Sequence, residues 1–173
     1  MPTDDPAVLT TRLQELLDRD EIHQLIVRYS FALDSKDFDT VRALLAPEAV
    51  MFGSTDYRYW FKVQRELPDG WGGHFTCDHQ IDFVDDTHAQ GLCYFVGYVA
   101  RGGEHQSNVL HVSVYVDEYV KLDGKWYFQT RDSHSLGYFP LGDMKAIDGP
   151  YVTRMADAWV KHNERKGRAR PWR

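Results

Sequence analysis

"RYSFALDSKDFDTVRALLAP", Arg28 to Pro47, carries an apolar helical face into an acid, Asp34, and then restarts a short helix that a proline stops. Reading backwards, apolar residues fall at Leu9, Leu13, Leu16, Leu17, Ile22, Leu25, Ile26, Tyr29, Ala32 and Leu33. That spacing follows one face of a long amphipathic helix, with a break expected near Asp18 to Asp20. Reading forwards, Asp37 is the N-cap of a second helix over roughly 38–45, and "EAVMF" reads as a first strand. Ser54, Thr55 or Asp56 can cap a third helix running to about Glu66. It places Tyr57, Trp60, Phe61 and Leu67 near one face, and the turn signal "PDGWGG" closes it.

Beyond Gly73 the apolar period changes to two. Extended segments are expected over about 74–84, 88–100 and 105–122, separated by "DD" and "RGG". "LDGK" then turns the chain into "WYFQTRDSHSL", which makes the last two segments a long hairpin. A final amphipathic helix is expected over 152–166, with fraying at 1–8 and a basic tail, "GRARPWR", at 167–173. Helices followed by an antiparallel meander predict an α+β domain, one face of a curved sheet covered by helices.

The chain of 173 residues has 43% hydrophobic and 14% aromatic residues, enough for one domain with its own core. A formal charge of -6 gives no broad attraction for phosphate backbones or acidic membranes, so neither nucleic acid nor membrane is expected as a partner. The two cysteines, Cys77 and Cys93, have no CxxC-type spacing, and the opening residues lack a signal-peptide pattern. The expectation is a cytoplasmic protein in a reducing compartment.

Three polar residues stand out: Tyr29, Asp34 and His74. On an ideal helix Tyr29 lies mid-stripe, whereas Asp34 falls roughly 80° beyond the stripe's edge. Read alone, Asp34 is either a solvated or locally capping acid or a carboxylate aimed into a pocket. Tyr29 alone is either a core tyrosine or a site residue, and His74, opening a strand after "GWGG", is likewise open to both readings. Together, a carboxylate and an imidazole make a competent general base. "HFTCDH" also raises a metal reading. Strand alternation, however, turns His74, Thr76 and Asp78 to one face and Cys77 and His79 to the other, so no metal is expected. In 111–120, Val112, Val114, Val116 and Val120 share one face, and His111, Ser113, Tyr115, Asp117 and Tyr119 share the other. Either could face inward. No GxGxxG, P-loop, GxSxG or HExxH occurs.

The run "LLDRDEIHQLIVRYSFALDSKDFDTVRALLAPEAVM", with a meander ending "YVDEYVKLDGKWYF", resembles the SnoaL-like branch of the nuclear transport factor two-like superfamily over about 16–136. Within that branch it is most similar to scytalone dehydratase, bile acid 7α-dehydratase and hexachlorocyclohexane dehydrochlorinase. The resemblance implies a cone-shaped α+β barrel, a strongly bent sheet around a hydrophobic cavity closed by the N-terminal helices. It also implies that Asp34 and His74 match a catalytic acid and histidine of those lyases, and that Tyr29 matches the tyrosine of bile acid dehydratase. Departures are plain. Leu33, Gly53 and Val96 stand where scytalone dehydratase has two tyrosines and a second histidine, and Gly97 where bile acid dehydratase has a second aspartate. Phe52 stands where steroid isomerases carry an aspartate.

The expected function is thus a cofactor-free dehydratase-type lyase of a small, cyclic, hydrophobic substrate. His74 and Asp34 would supply the base with help from Tyr29, and Trp60, Phe52 and Tyr57 would contact the substrate. Alternatives are isomerisation or cyclisation with the same pair, or binding without chemistry. A homo-oligomer is expected, a trimer ahead of a dimer.

Overall fold

Asp5 starts the first helix, its carboxylate accepting from Ala7 N at 2.9 Å with Pro6 in the first turn. In the computed structural model, which describes residues 5–66, 72–100 and 108–141, helix α1 then runs unbroken over Pro6–Asp34. Its 29 residues make it about 44 Å long. The break expected near Asp18 does not occur, because Asp18 is held in place. It accepts from Gln14 Nε2 at 3.1 Å one turn earlier and from Lys121 Nζ at 2.6 Å across the interface. The apolar stripe is covered only in its second half. Ile22, Leu25, Ile26, Tyr29, Ala32 and Leu33 are buried, whereas Leu13 and Leu16 are 57% and 63% exposed.

A Schellman-type cap ends α1. Lys36 N–H donates to Leu33 O at 2.9 Å and Asp37 N–H to Ala32 O at 2.8 Å, with Lys36 in the left-handed region at φ 60°. Lysine is strained there, since a Cβ crowds the backbone and glycine has none. Lys36→Gly is therefore expected to raise unfolding free energy by about 0.5–1 kcal/mol, net of glycine's larger unfolded-state entropy. Urea unfolding checks this.

Asp37 at once caps the next helix, α2 (Phe38–Ala43), accepting from Thr40 N at 3.0 Å. Strand β1 (Leu45–Met51) begins three residues before the expected "EAVMF" and includes Pro47. It pairs only with the last strand, so the missing N–H costs no ladder bond on its open side. Helix α3 (Tyr57–Glu66) follows Asp56, whose carboxylate accepts from Arg58 N at 3.2 Å.

Strands β2 (Gly72–Phe83), β3 (His88–Ala100), β4 (Asn108–Leu122) and β5 (Lys125–Pro140) complete a sheet of order β1-β5-β4-β3-β2. All pairings are antiparallel except β1 with β5. The β4–β5 hairpin turns on Asp123 and Gly124, both at positive φ as a two-residue turn requires. The expected beginning of the β4 segment at His105, the turn after α3, the helix over 152–166 and the tail at 167–173 lie outside the described residues.

Two irregularities decide which side chains face α1. Between Cys77 and Gln80, two residues of β2 oppose one of β3, and Asp78 takes φ 51°. In β5, Gln129 is the extra residue between Phe128, opposite Tyr119, and Thr130, opposite Glu118. Each bulge reverses the alternation downstream of it. His79 and Arg131 consequently turn inward, which corrects the strict alternation that paired His79 with Cys77. On β4 the buried face is the mixed one, carrying Ser113, Tyr115, Asp117 and Tyr119; Val116 on the other face is 39% exposed. Among the described residues no helix is long and apolar enough to cross a membrane.

Candidate active site

Asp34 is the last residue of α1, and His74 is the third residue of β2. The carboxylate grips this strand entry at two points. Oδ2 accepts the backbone N–H of His74 at 2.8 Å, and Oδ1 lies 2.5 Å from Nδ1 of its ring. Both side chains are nearly sealed, with 7% of His74 and 3% of Asp34 exposed. Asp34 thus faces inward although it lies off the apolar stripe, because an acid is buried by its hydrogen-bond partners rather than by its place on a hydrophobic face. With Nδ1–H donated to the carboxylate, Nε2 is the basic nitrogen of the neutral ring.

The ring has an aromatic seat. Phe95 packs on His74 at 4.7 Å between centroids, and Tyr29 meets it edge-on at 6.5 Å. Register explains the first contact. Gly97 sits opposite both His74 and His111, and a Cβ there would collide with the Phe95 ring. Tyr29 is fully buried, its ring also packed against Tyr115 and Phe128. Burial pushes its hydroxyl well above the usual tyrosine range, so it stays protonated and acts as a donor.

A buried ion pair lies beneath these rings. Arg131 donates from Nε to Asp117 Oδ1 at 2.8 Å and from Nη2 to Oδ2 at 2.7 Å, with both side chains fully buried. The guanidinium carbon stands 4.4, 4.2 and 4.3 Å from the ring centroids of Tyr29, Tyr115 and Phe128. Burial opposes its charge, but the Asp117 carboxylate outweighs burial, and the guanidinium pKa is pushed well above its ordinary value. Nη1 faces away from the carboxylate and has no hydrogen-bond partner among the described residues.

Arg131 was invisible to period-two reading, since the bulge at Gln129 exchanges its place with that of Thr130. Asp117, an acid among aromatics on one strand face, was the available signal. Of the residues expected to contact substrate, Phe52 lies at the site. Its ring is 6.5 Å from Tyr115, and its N–H donates to Arg131 O at 2.8 Å. Tyr57 packs on Phe61, which packs on Phe38, so its described role is to anchor α3 to α2. Trp60 is in α3, but its side chain lies outside the described residues. Among the described residues no three His, Cys, Asp or Glu side chains are grouped to hold a metal ion.

This architecture recurs in solved structures. A candidate scytalone dehydratase from Novosphingobium aromaticivorans DSM 12444 superposes with TM-score 0.67 at 19% identity, covering 81% of this chain and 97% of that one. LinA gives 0.71 at 19% identity, covering 80% and 99%. The hexachlorocyclohexane dehydrochlorinase LinA-type3 from Novosphingobium barchaimii LL02 gives 0.70 at 16% identity, also covering 80% and 99%. At these identities the likeness establishes the fold. No curated protein matches the sequence. Residues 14–132 match the SnoaL-like domain profile, more than half of the chain, and the protein belongs to the SnoaL-like family within the nuclear transport factor two-like superfamily.

Proposed function

We propose that the protein is a lyase that removes water from a small, cyclic, largely apolar substrate, using His74 and Asp34 as its base. The observation that carries this reading is the buried Asp34–His74 contact at 2.5 Å, set among aromatic rings. His74 Nε2 takes a proton from the carbon beside an activating carbonyl. The electron pair left behind forms the new double bond as the carbon–oxygen bond breaks, and the departing hydroxyl leaves as water with that proton. Tyr29 donates a hydrogen bond to a substrate oxygen. Arg131 offers Nη1 as a fixed positive group for the oxygen on which negative charge develops. All of this chemistry is carried by the chain's own side chains.

One feature supports the reading over simple binding: besides anchoring the strand entry, the carboxylate orients the imidazole, and binding alone needs no oriented base. The test is incubation with a panel of cyclic β-hydroxy ketones followed by mass spectrometry. A product lighter by one water is expected. An isomeric product would favour rearrangement or cyclisation by the same base, and ligands retained unchanged would favour a binding module.

We further propose that copies of the chain assemble through the outer sheet face, as a trimer in the cytoplasm. Phe75, Leu92, Tyr94 and Val116 are 64%, 44%, 46% and 39% exposed there, and Leu92 lies opposite Val116 in register. Sedimentation velocity is expected to give three times the chain mass for the wild type and one chain for the double variant Leu92→Glu/Val116→Glu. A monomeric wild type contradicts the assignment.

A further inference from the structure

Inward rotation of His79 at the β2 bulge joins five side chains into one hydrogen-bonded row. His79 Nε2 is 3.2 Å from the Tyr119 hydroxyl, which donates to Asp117 Oδ2 at 2.9 Å, the same oxygen that Arg131 Nη2 holds at 2.7 Å. On its other side His79 Nδ1 lies 3.4 Å from His23 Nδ1 on α1. The ring centroids are 5.6 Å apart, so the two imidazoles meet nitrogen to nitrogen. Proton inventory fixes the direction of every bond. Asp117, ionised against Arg131, only accepts, and Tyr119 gives it the one proton it has. The next bond therefore needs a donor, and His79 supplies it as its Nε2–H tautomer, leaving Nδ1 to accept from His23. At the junction itself β3 carries glycine. A Cβ on Gly91 would stand 2.8 Å from the Tyr119 ring and 3.1 Å from His79 Nε2.

We infer that His79 and Tyr119 are positioning residues for Arg131. By saturating Asp117 Oδ2 from a second direction, they hold the carboxylate against rotation and keep the guanidinium in one orientation, with Nη1 presented to the interior. Arg131 faces substrate only if the lyase reading above holds, on which this assignment rests. The row surfaces in a depression of about 360 Å³ lined by Leu16, Arg19, Asp20, His23, His79 and Ile81. His79 is thereby the link between solvent and the buried ion pair.

Desolvation holds His79 near pKa 4, with His23, Arg131 and Arg19 opposing its protonation and Asp117 favouring it. The folded state therefore refuses a proton that the unfolded chain accepts below about pH 6.5. Stability is expected to be independent of His79 above that pH and to fall progressively from there towards pH 4.

Variants at position 79 separate positioning from packing. Glutamine can reach Tyr119 with an N–H and cannot titrate, whereas leucine fills the space and donates nothing. In the 1H–15N spectrum of the whole protein, Arg131 Nε–H is expected as one slowly exchanging line in the wild type and in His79→Gln, but broadened or fast-exchanging in His79→Leu. Both variants are expected to lose the His79 share of the acid-dependent loss of stability between pH 6.5 and 4, leaving that of His111, whose pKa burial also lowers. On a substrate found by the screen, His79→Leu is expected to lower kcat roughly tenfold with KM less affected, and His79→Gln to restore it. An Arg131 line identical in all three proteins, or equal losses in Gln and Leu, overturns the assignment. The spectra need no substrate, so a failed screen would count against the lyase reading and leave the positioning test intact.

Discussion

His74→Ala is expected to lower turnover by about 10²–10⁴-fold while the protein still folds, since that is the usual contribution of a positioned general base. Asp34→Asn is expected to fall in the same range by a different route. The carboxylate takes Nδ1–H at 2.5 Å and leaves Nε2 basic. An asparagine can turn its amide N–H to Nδ1 instead, and the ring proton then sits on Nε2, where the base is needed. The backbone bond from His74 N–H survives if the amide oxygen takes the Oδ2 position, so the strand entry keeps its anchor. The measurement is kcat on the substrate that loses water, with thermal unfolding as control. Near-wild-type turnover in either folded variant would contradict the pair's role.

Asp117→Ala is expected to cost about 3–5 kcal/mol of unfolding free energy, the largest stability loss of any single change considered. Removing the acid leaves a guanidinium with no exposure to water and only ring faces around it. Against a typical total of about 5–15 kcal/mol, such a loss brings the fold close to its limit. Arg131→Met strands the Asp117 charge in turn, with Tyr119 as its remaining donor, and is expected to cost a comparable amount. The double variant Asp117→Leu/Arg131→Met is expected to recover most of the stability, because two desolvated charges are replaced by apolar volume. Urea unfolding of the four proteins reads the cycle directly. The double variant should nonetheless lose activity, which would identify the pair as retained for the site rather than for the fold. Single changes costing under about 1 kcal/mol would mean that the pair is hydrated.

Much of the fold was legible because its signals are local. The N-cap at Asp37, the stripe ending at Leu33, the Asp123–Gly124 turn and the change of period after Gly73 each act within a few residues. The misreadings share another cause. "DRD" at 18–20 looked like a break because its stabilising partner, Lys121, lies 103 residues away. Pro47 looked like a barrier because nothing local says that β1 is an edge strand. Asp34 could not be placed from the helix alone, since what buries it is His74, 40 residues on. Bulges were the deepest obstacle. They leave no residue pattern in period two, and they turn inward the two polar groups, His79 and Arg131, that simple alternation sends outward.

On the proposed mechanism Asp34 fixes the His74 ring with its proton on Nδ1 and a lone pair on Nε2, inside the protein. Long-range 1H–15N correlation on the 15N-labelled wild type and on Asp34→Asn measures this without any substrate. A single Nδ1–H tautomer is expected in the wild type, replaced by Nε2–H in the variant. A wild-type ring that carries its proton on Nε2, or that averages freely between the two forms, would contradict it.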